Sequence, residues 1–179
     1  MENLISKFLA FLNNKEGFLV DLEPADNSIL TKLIANYNAK DLEVFAESNN
    51  GSAWAIWKHE NALPVVLISS EGIPFDIAAR DFETFLALLY YGTGLMYQCL
   101  TFLDFAKRMG QTEKQALKRF DKNYLEKELQ RFHTDYPDYN ALYNFIDEQG
   151  VGKMEDPIQS FLATSKLRKA FSEWKENFQ

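Results

Sequence analysis

Two serines and an acid close an apolar run, Pro64-Val65-Val66-Leu67-Ile68-Ser69-Ser70-Glu71-Gly72. A serine at the end of a strand is where an α/β-hydrolase carries its nucleophile. That chemistry needs glycines on both sides of the serine, so that a sharp strand-to-helix turn exposes the hydroxyl. The segment lacks the first glycine, and the pattern beyond Gly72 predicts another strand, so Ser69 and Ser70 are not expected to be nucleophiles. The lone cysteine, Cys99, lies on an apolar helical stripe and reads as a small core residue.

Metal chemistry has little to work with. His59 and His133 are the two histidines, neither with a second ligand at helical spacing, and no carboxylate run has calcium-loop spacing. Both are expected to be exposed and ordinary. Gly150-Val151-Gly152-Lys153 has a fragment of a phosphate loop's composition. It lacks the full glycine spacing, Met154 stands where a Ser or Thr belongs, and no strand precedes it. It is expected to stop a helix. Neither a metal nor a cofactor is predicted. Glu71, Asp76 and Asp81 fall along one sheet edge, and the competing reading is turn and cap chemistry. The basic stretch Lys118, Arg119, Phe120, Lys122 and Tyr124 is interleaved with Asp121, Glu126 and Glu128, as on a solvated amphipathic helix.

The elements that must position these groups follow from periodicity. Leu4, Ile5, Phe8, Leu9 and Leu12 predict a helix from about Glu2 to Asn13. Gly17 to Pro24 is a strand or an extended connector. Asp26, Asn27 and Ser28 offer caps for a helix through Ile29, Leu30, Leu33, Ile34 and Tyr37. Asp41–Ser48 and Ser52–His59 predict an antiparallel hairpin around Asn49-Asn50-Gly51, whose residues tolerate positive φ. Trp54 and Ile56 face one way, and Ala53, Ala55 and Trp57 the other, so this strand is interior. Val65 to Ile68 is apolar on both faces, as in a central strand. Pro74 pushes the fourth strand, Ile73–Arg80, to an edge or a bulge.

Asp81 caps a helix with the stripe Phe82, Phe85, Leu86 and Leu89, and Gly92 is its C-cap. Beyond Gly92 no strand is predicted. One helix carries Leu95, Cys99, Leu103 and Ala106. A second runs from Leu117 through Phe120, Tyr124 and Leu125 to about Phe132. A short third carries Leu142, Phe145 and Ile146. A last helix opens at Asp156-Pro157 and carries Leu167, Ala170, Phe171, Trp174 and Phe178. The fold class is α+β: an antiparallel twisted sheet flanked by helices (1–92), with a C-terminal helical extension (93–179) in the same compact domain. The extension either packs on the core or makes a homodimer.

The 179 residues are 46% hydrophobic and 15% aromatic, which suits a packed domain and not a disordered chain. No segment reaches the roughly 20 apolar residues of a bilayer span; the best run is Phe85 to Tyr91. No signal-peptide layout is evident, and one cysteine leaves no internal disulfide, so a cytoplasmic protein is expected. The net charge of −7 is unevenly placed. Met1–Gly92 holds 6 basic and 13 acidic residues, and Thr93–Gln179 holds 13 of each. A protein that grips a nucleic-acid backbone needs a basic patch, so direct nucleic-acid binding is not expected. The acidic half would attract a basic partner; the plainer reading is surface that keeps a protein soluble.

An ordered series from about Val44 to Tyr91 resembles the SUKH superfamily of fungal cell-wall synthesis regulators and bacterial toxin-immunity proteins. Gly51-Ser52 runs into Ala53-Trp54-Ala55-Ile56-Trp57. Leu63 to Ile68 matches the family's Pro-Val-Val strand. Ser69-Ser70-Glu71-Gly72 stands where the family often reads Gly-Ser-Glu-Gly, and Ile77 to Leu89 matches its strand end and following helix. Ser69 in place of the common glycine departs from the pattern, and so does the absence of the family's N-terminal Leu-Pro and Asn-Gly-Gly.

The resemblance implies a strongly twisted sheet, no catalysis, and work done by binding another protein. In bacteria that partner is a toxin, often a nuclease or deaminase. The expectation is therefore a non-enzymatic immunity protein that neutralises a basic toxin domain. The alternative is an intracellular regulator or scaffold of the cell-wall-regulator type. Charge placement names Glu43, Glu47, Glu71 and Asp76 as candidate partner contacts.

Overall fold

The computed structural model describes residues 2–14, 21–34, 39–60 and 62–177. Their architecture is α+β, built on a five-stranded antiparallel sheet: β1 (Glu23–Pro24), β2 (Leu42–Glu47), β3 (Ala53–Trp57), β4 (Val65–Ile68) and β5 (Phe75–Ala79). The spatial order is the chain order, so each strand pairs only with its sequence neighbours. The hairpin closes where Gly51 takes φ +79. Β3 and β4 are wholly buried, as their two apolar faces require. Β5 lies at an edge and is bulged opposite Val65 and Val66. A second bulge, between Val44 and Ala46, turns Phe45 and Ala46 to the same side.

The sheet is covered on both faces. Trp54, Ile56, Val65 and Leu67 face α1 (Glu2–Asn13), α3 (Phe82–Leu88) and α4 (Gly92–Arg108) in the larger core. Phe8, Phe82, Phe85 and Phe45 pack there edge to face, with ring centroids 5.3–5.7 Å apart for the Phe8–Phe82 and Phe45 pairs. Ala55, Trp57, Val66 and Ile77 face the opposite way, under Leu30, Phe171 and Trp174. Each large side chain taken fully from water contributes about 1.5–3 kcal/mol.

Several elements differ from the periodicity. Asp26 caps a single 3-10 turn (Asn27–Ile29), which leads into the one-turn α2 (Leu30–Leu33). Asn27 is engaged elsewhere: its side chain bonds the Leu42 carbonyl and the Val44 amide, clamping the segment to β2. The expected positions Gly17 to Val20, Tyr37 and Phe178 lie outside the described residues. The helix expected over 117–132 is two, α5 (Glu113–Leu117) and α6 (Lys122–Asp135), because Asp121 and Thr112 each cap a new start. After α7 (Tyr139–Glu148), the expected last helix is also two, α8 (Pro157–Ala163) and α9 (Ser165–Glu176). The chain turns at Thr164, whose hydroxyl donates to the Phe161 carbonyl.

Phe82–Arg108 has the length and apolarity of a membrane span, contrary to the expectation that no segment reaches it. Its most apolar window is 72% buried against the rest of the fold, and Gly92 at φ +76 breaks it into α3 and α4. It is apolar because it is the core.

Candidate partner-binding surface and adjoining cavity

The serines of the β4–β5 turn are turn residues. Ser69 is buried and its Oγ accepts from the Glu71 amide at 3.2 Å. Ser70 donates to the Asn50 carbonyl at 2.8 Å, and its amide donates to Ser52 Oγ at 3.1 Å. These bonds join the turn at 69–72 to the hairpin turn at 48–52, so both lie at one end of the sheet. Burial pushes the Cys99 thiol well up, which keeps it protonated. Gly150, at φ +74, ends α7. Among the described residues no three His, Cys, Asp or Glu side chains converge as a metal site requires.

Both histidines are packed instead of freely exposed. His59 stacks on Trp57 at 4.1 Å. His133 stacks on Tyr139 at 3.8 Å and bonds the Tyr143 hydroxyl at 2.9 Å. Burial first, and Lys153 second, lower its pKa.

The four candidate acids are not gathered at one place. Β2 and β5 are three strand spacings apart, about 14 Å. Glu43 is exposed, pairs with Lys58 at 2.8 Å, and lies at the far end of the sheet from the two turns. Glu47 lies at the turn end, opposite Glu23 across the β1–β2 pair. Asp76 has work inside the chain: its carboxylate accepts from the Ile77 amide at 2.8 Å, while Lys175 donates to the Phe75 carbonyl. The two side chains satisfy backbone groups of an edge strand, a common way to block edge pairing. Burial raises the Asp76 pKa against the opposing pull of Lys175, and burial lowers that of Lys175.

Glu71 is exposed in the β4–β5 turn. Its carboxylate accepts from the Tyr97 hydroxyl at 3.2 Å, and the same hydroxyl reaches the Ile73 carbonyl at 3.4 Å. Ile73 is 40% exposed. Tyr97, Thr101 and Phe105 follow at four-residue spacing along α4, and Met109 is its C-cap. Phe105 and Met109 are 54% and 60% exposed. Neither is among the contacts expected from the sequence. The available signal was that Phe105 falls off the buried stripe of Leu95, Cys99 and Leu103.

Tyr97 also lines a cavity of about 290 Å³ beside the sheet end. Its floor is the N-terminus of α4, Gly92-Thr93-Gly94, and its walls include Trp54, Tyr136, Gln98 and Glu128. Gly92 sits there at positive φ, with Phe132 so close that a Cβ would lie 2.7 Å from its ring. Asp21, also at positive φ, turns its carboxylate in to accept from the Asn49 amide at 3.0 Å and the Thr93 hydroxyl at 3.3 Å. Burial raises its pKa despite those bonds. The Trp54 indole donates to Ser48 Oγ at 2.9 Å. Asp21 gave no sequence signal, because its partner Thr93 is 72 residues away.

No family model matches the chain, and no curated protein or solved structure matches it either.

Proposed function

We propose that the chain is a cytoplasmic, non-enzymatic binding protein of SUKH type, an immunity protein that neutralises a basic toxin domain. The observation that carries this reading is the exposure of Ile73 next to Glu71 in the β4–β5 turn, and of Phe105 and Met109 at the C-terminal end of α4. Exposed apolar side chains on a helix end and a turn, with an acid fixed in that turn, suit a protein interface. The excess acid of Met1–Gly92 supplies the charge complement for a basic partner and would speed its approach.

The test is co-expression with the toxin domain encoded by the adjacent reading frame, read as growth rescue, together with affinity measured on the purified pair. Rescue and tight binding are expected from the parent chain. Both are expected to be lost in a Phe105→Asp, Met109→Asp variant that keeps the parent's thermal unfolding. Absence of rescue and of binding by the parent chain overturns the immunity reading. Full affinity in the folded variant overturns this surface.

A further inference from the structure

We infer that the cavity beside Tyr97 takes one guanidinium group, an arginine side chain of the bound partner. The inference rests on the preceding reading for the source of that group; the chemistry of the cavity stands apart from it. Volume comes first. About 290 Å³ is near the lower end of the usual ligand-pocket range, enough for one side-chain head and part of its stem.

Charge comes second. Two groups in the lining favour an anion, the α4 N-terminus and Arg131. Against them stand three carboxylates, Asp21, Glu128 and Asp135, the last already paired with Arg131 at 3.4 Å. Neither Asp21 nor Glu128 takes part in an ion pair among the described residues. Glu128 is held in place by Gln98, whose amide donates to it at 3.1 Å, and Gln98 is held in turn by the Tyr124 hydroxyl. A carboxylate fixed by a second layer of bonds is ready to receive a donor without first being ordered.

Shape comes third. The lining also holds the partly exposed rings of Tyr97 and Tyr136, beside the polar Ser48, Asn50 and Ser52. A flat, weakly hydrated cation stacks on such rings, which favours guanidinium over ammonium. Tyr97 lines the cavity, and its hydroxyl also meets the Glu71 carboxylate and the Ile73 carbonyl. A partner seated on the turn of Glu71 and Ile73 would therefore have the cavity within reach of one long side chain.

The experiment titrates the full chain with n-propylguanidinium, its neutral analogue n-propylurea, and inorganic phosphate, followed by NMR of the Trp54 indole N–H. Saturable binding of propylguanidinium is expected, about tenfold tighter than propylurea and weakened about tenfold by Glu128→Gln. Asp21→Asn serves as a second variant, each judged only after its thermal unfolding matches the parent's. Equal binding of the urea, preference for phosphate, or indifference to both substitutions overturns the cationic assignment. A capped Gly-Arg-Gly peptide separates the sources. Binding as tight as the free guanidinium supports a protein-borne arginine, and exclusion of the peptide overturns it in favour of a small free cation. Retained guanidinium binding in the Phe105→Asp, Met109→Asp variant, with rescue lost or never present, separates failure of the immunity reading from failure of this one.

Discussion

Tyr97 and Glu71 are joined across 26 residues by a 3.2 Å hydrogen bond from phenol to carboxylate. The same hydroxyl lies 3.3 Å from Ser69 Oγ and 3.4 Å from the Ile73 carbonyl. One group on α4 therefore fixes the β4–β5 turn that carries the candidate acid Glu71. Tyr97→Phe is expected to cost about 0.5–1.5 kcal/mol, the net value of an ordinary hydrogen bond, measured by urea unfolding. The partner should also dissociate faster from this variant, because Glu71 loses its ordering contact. An unfolding midpoint equal to the parent's would mean that the bond does not hold the turn.

Gly92 and Gly94 are two residues apart and predict opposite outcomes. Gly92 is at φ +76 and a Cβ there meets the Phe132 ring at 2.7 Å, whereas one at Gly94 meets nothing within 4 Å. Left-handed backbone and overpacking together put Gly92→Ala at about 2–4 kcal/mol of lost stability. Gly94→Ala, inside α4, is expected to gain up to about 1 kcal/mol from helix propensity. Thermal unfolding of the two variants side by side checks both signs.

The sheet was legible because its signals are local. Asn49-Asn50-Gly51 specifies a turn, Trp54 to Trp57 is apolar on both faces, and Pro74 cannot donate to a ladder. Helix starts were legible where Asp81 and Asp156 could reach an amide three residues on. The breaks at Thr164 and between Leu117 and Lys122 were not, because the apolar spacing continues through them and tertiary packing decides where the chain turns. The candidate site was half legible. Glu71 followed from a local turn, but its contact Tyr97 and the cavity's Asp21–Thr93 bond join segments far apart in the chain, and no spacing rule reports such pairs.

Arg168 is the least expected residue of the core. It is 4% exposed and grips both Glu113 oxygens, at 3.0 and 2.7 Å, while also bonding Thr164 and the Phe161 carbonyl. It thus ties α9 to α5 and α8. Arg168→Ala strands these acceptors and is expected to cost about 3–5 kcal/mol. Glu113→Gln should cost less, since Glu113 is 32% exposed and water can replace part of the pair. A double-mutant cycle in urea checks the pair: additive losses would show that the two side chains do not act together.

Asp21 makes stability depend on pH with a sign opposite to that of a salt-bridged acid. Burial raises its folded pKa above the ordinary 3.8, so between those values the folded chain holds a proton that the unfolded chain has released. Its contribution to stability is fully present below 3.8 and is lost as pH rises through the folded value. Asp21→Asn carries no such proton. The parent's urea midpoint, measured relative to that of the variant, is therefore expected to fall as pH rises from 3.8 towards neutrality, and then to level off. A difference that rises over that interval would mean that the Asn49 and Thr93 bonds outweigh the burial of the carboxylate. A cation held in the cavity should shrink the difference, because it favours the ionised form that burial disfavours. Repeating the series with n-propylguanidinium present therefore joins this prediction to the proposed use of the cavity: the parent's midpoint should recover near neutrality, while that of Asp21→Asn changes less.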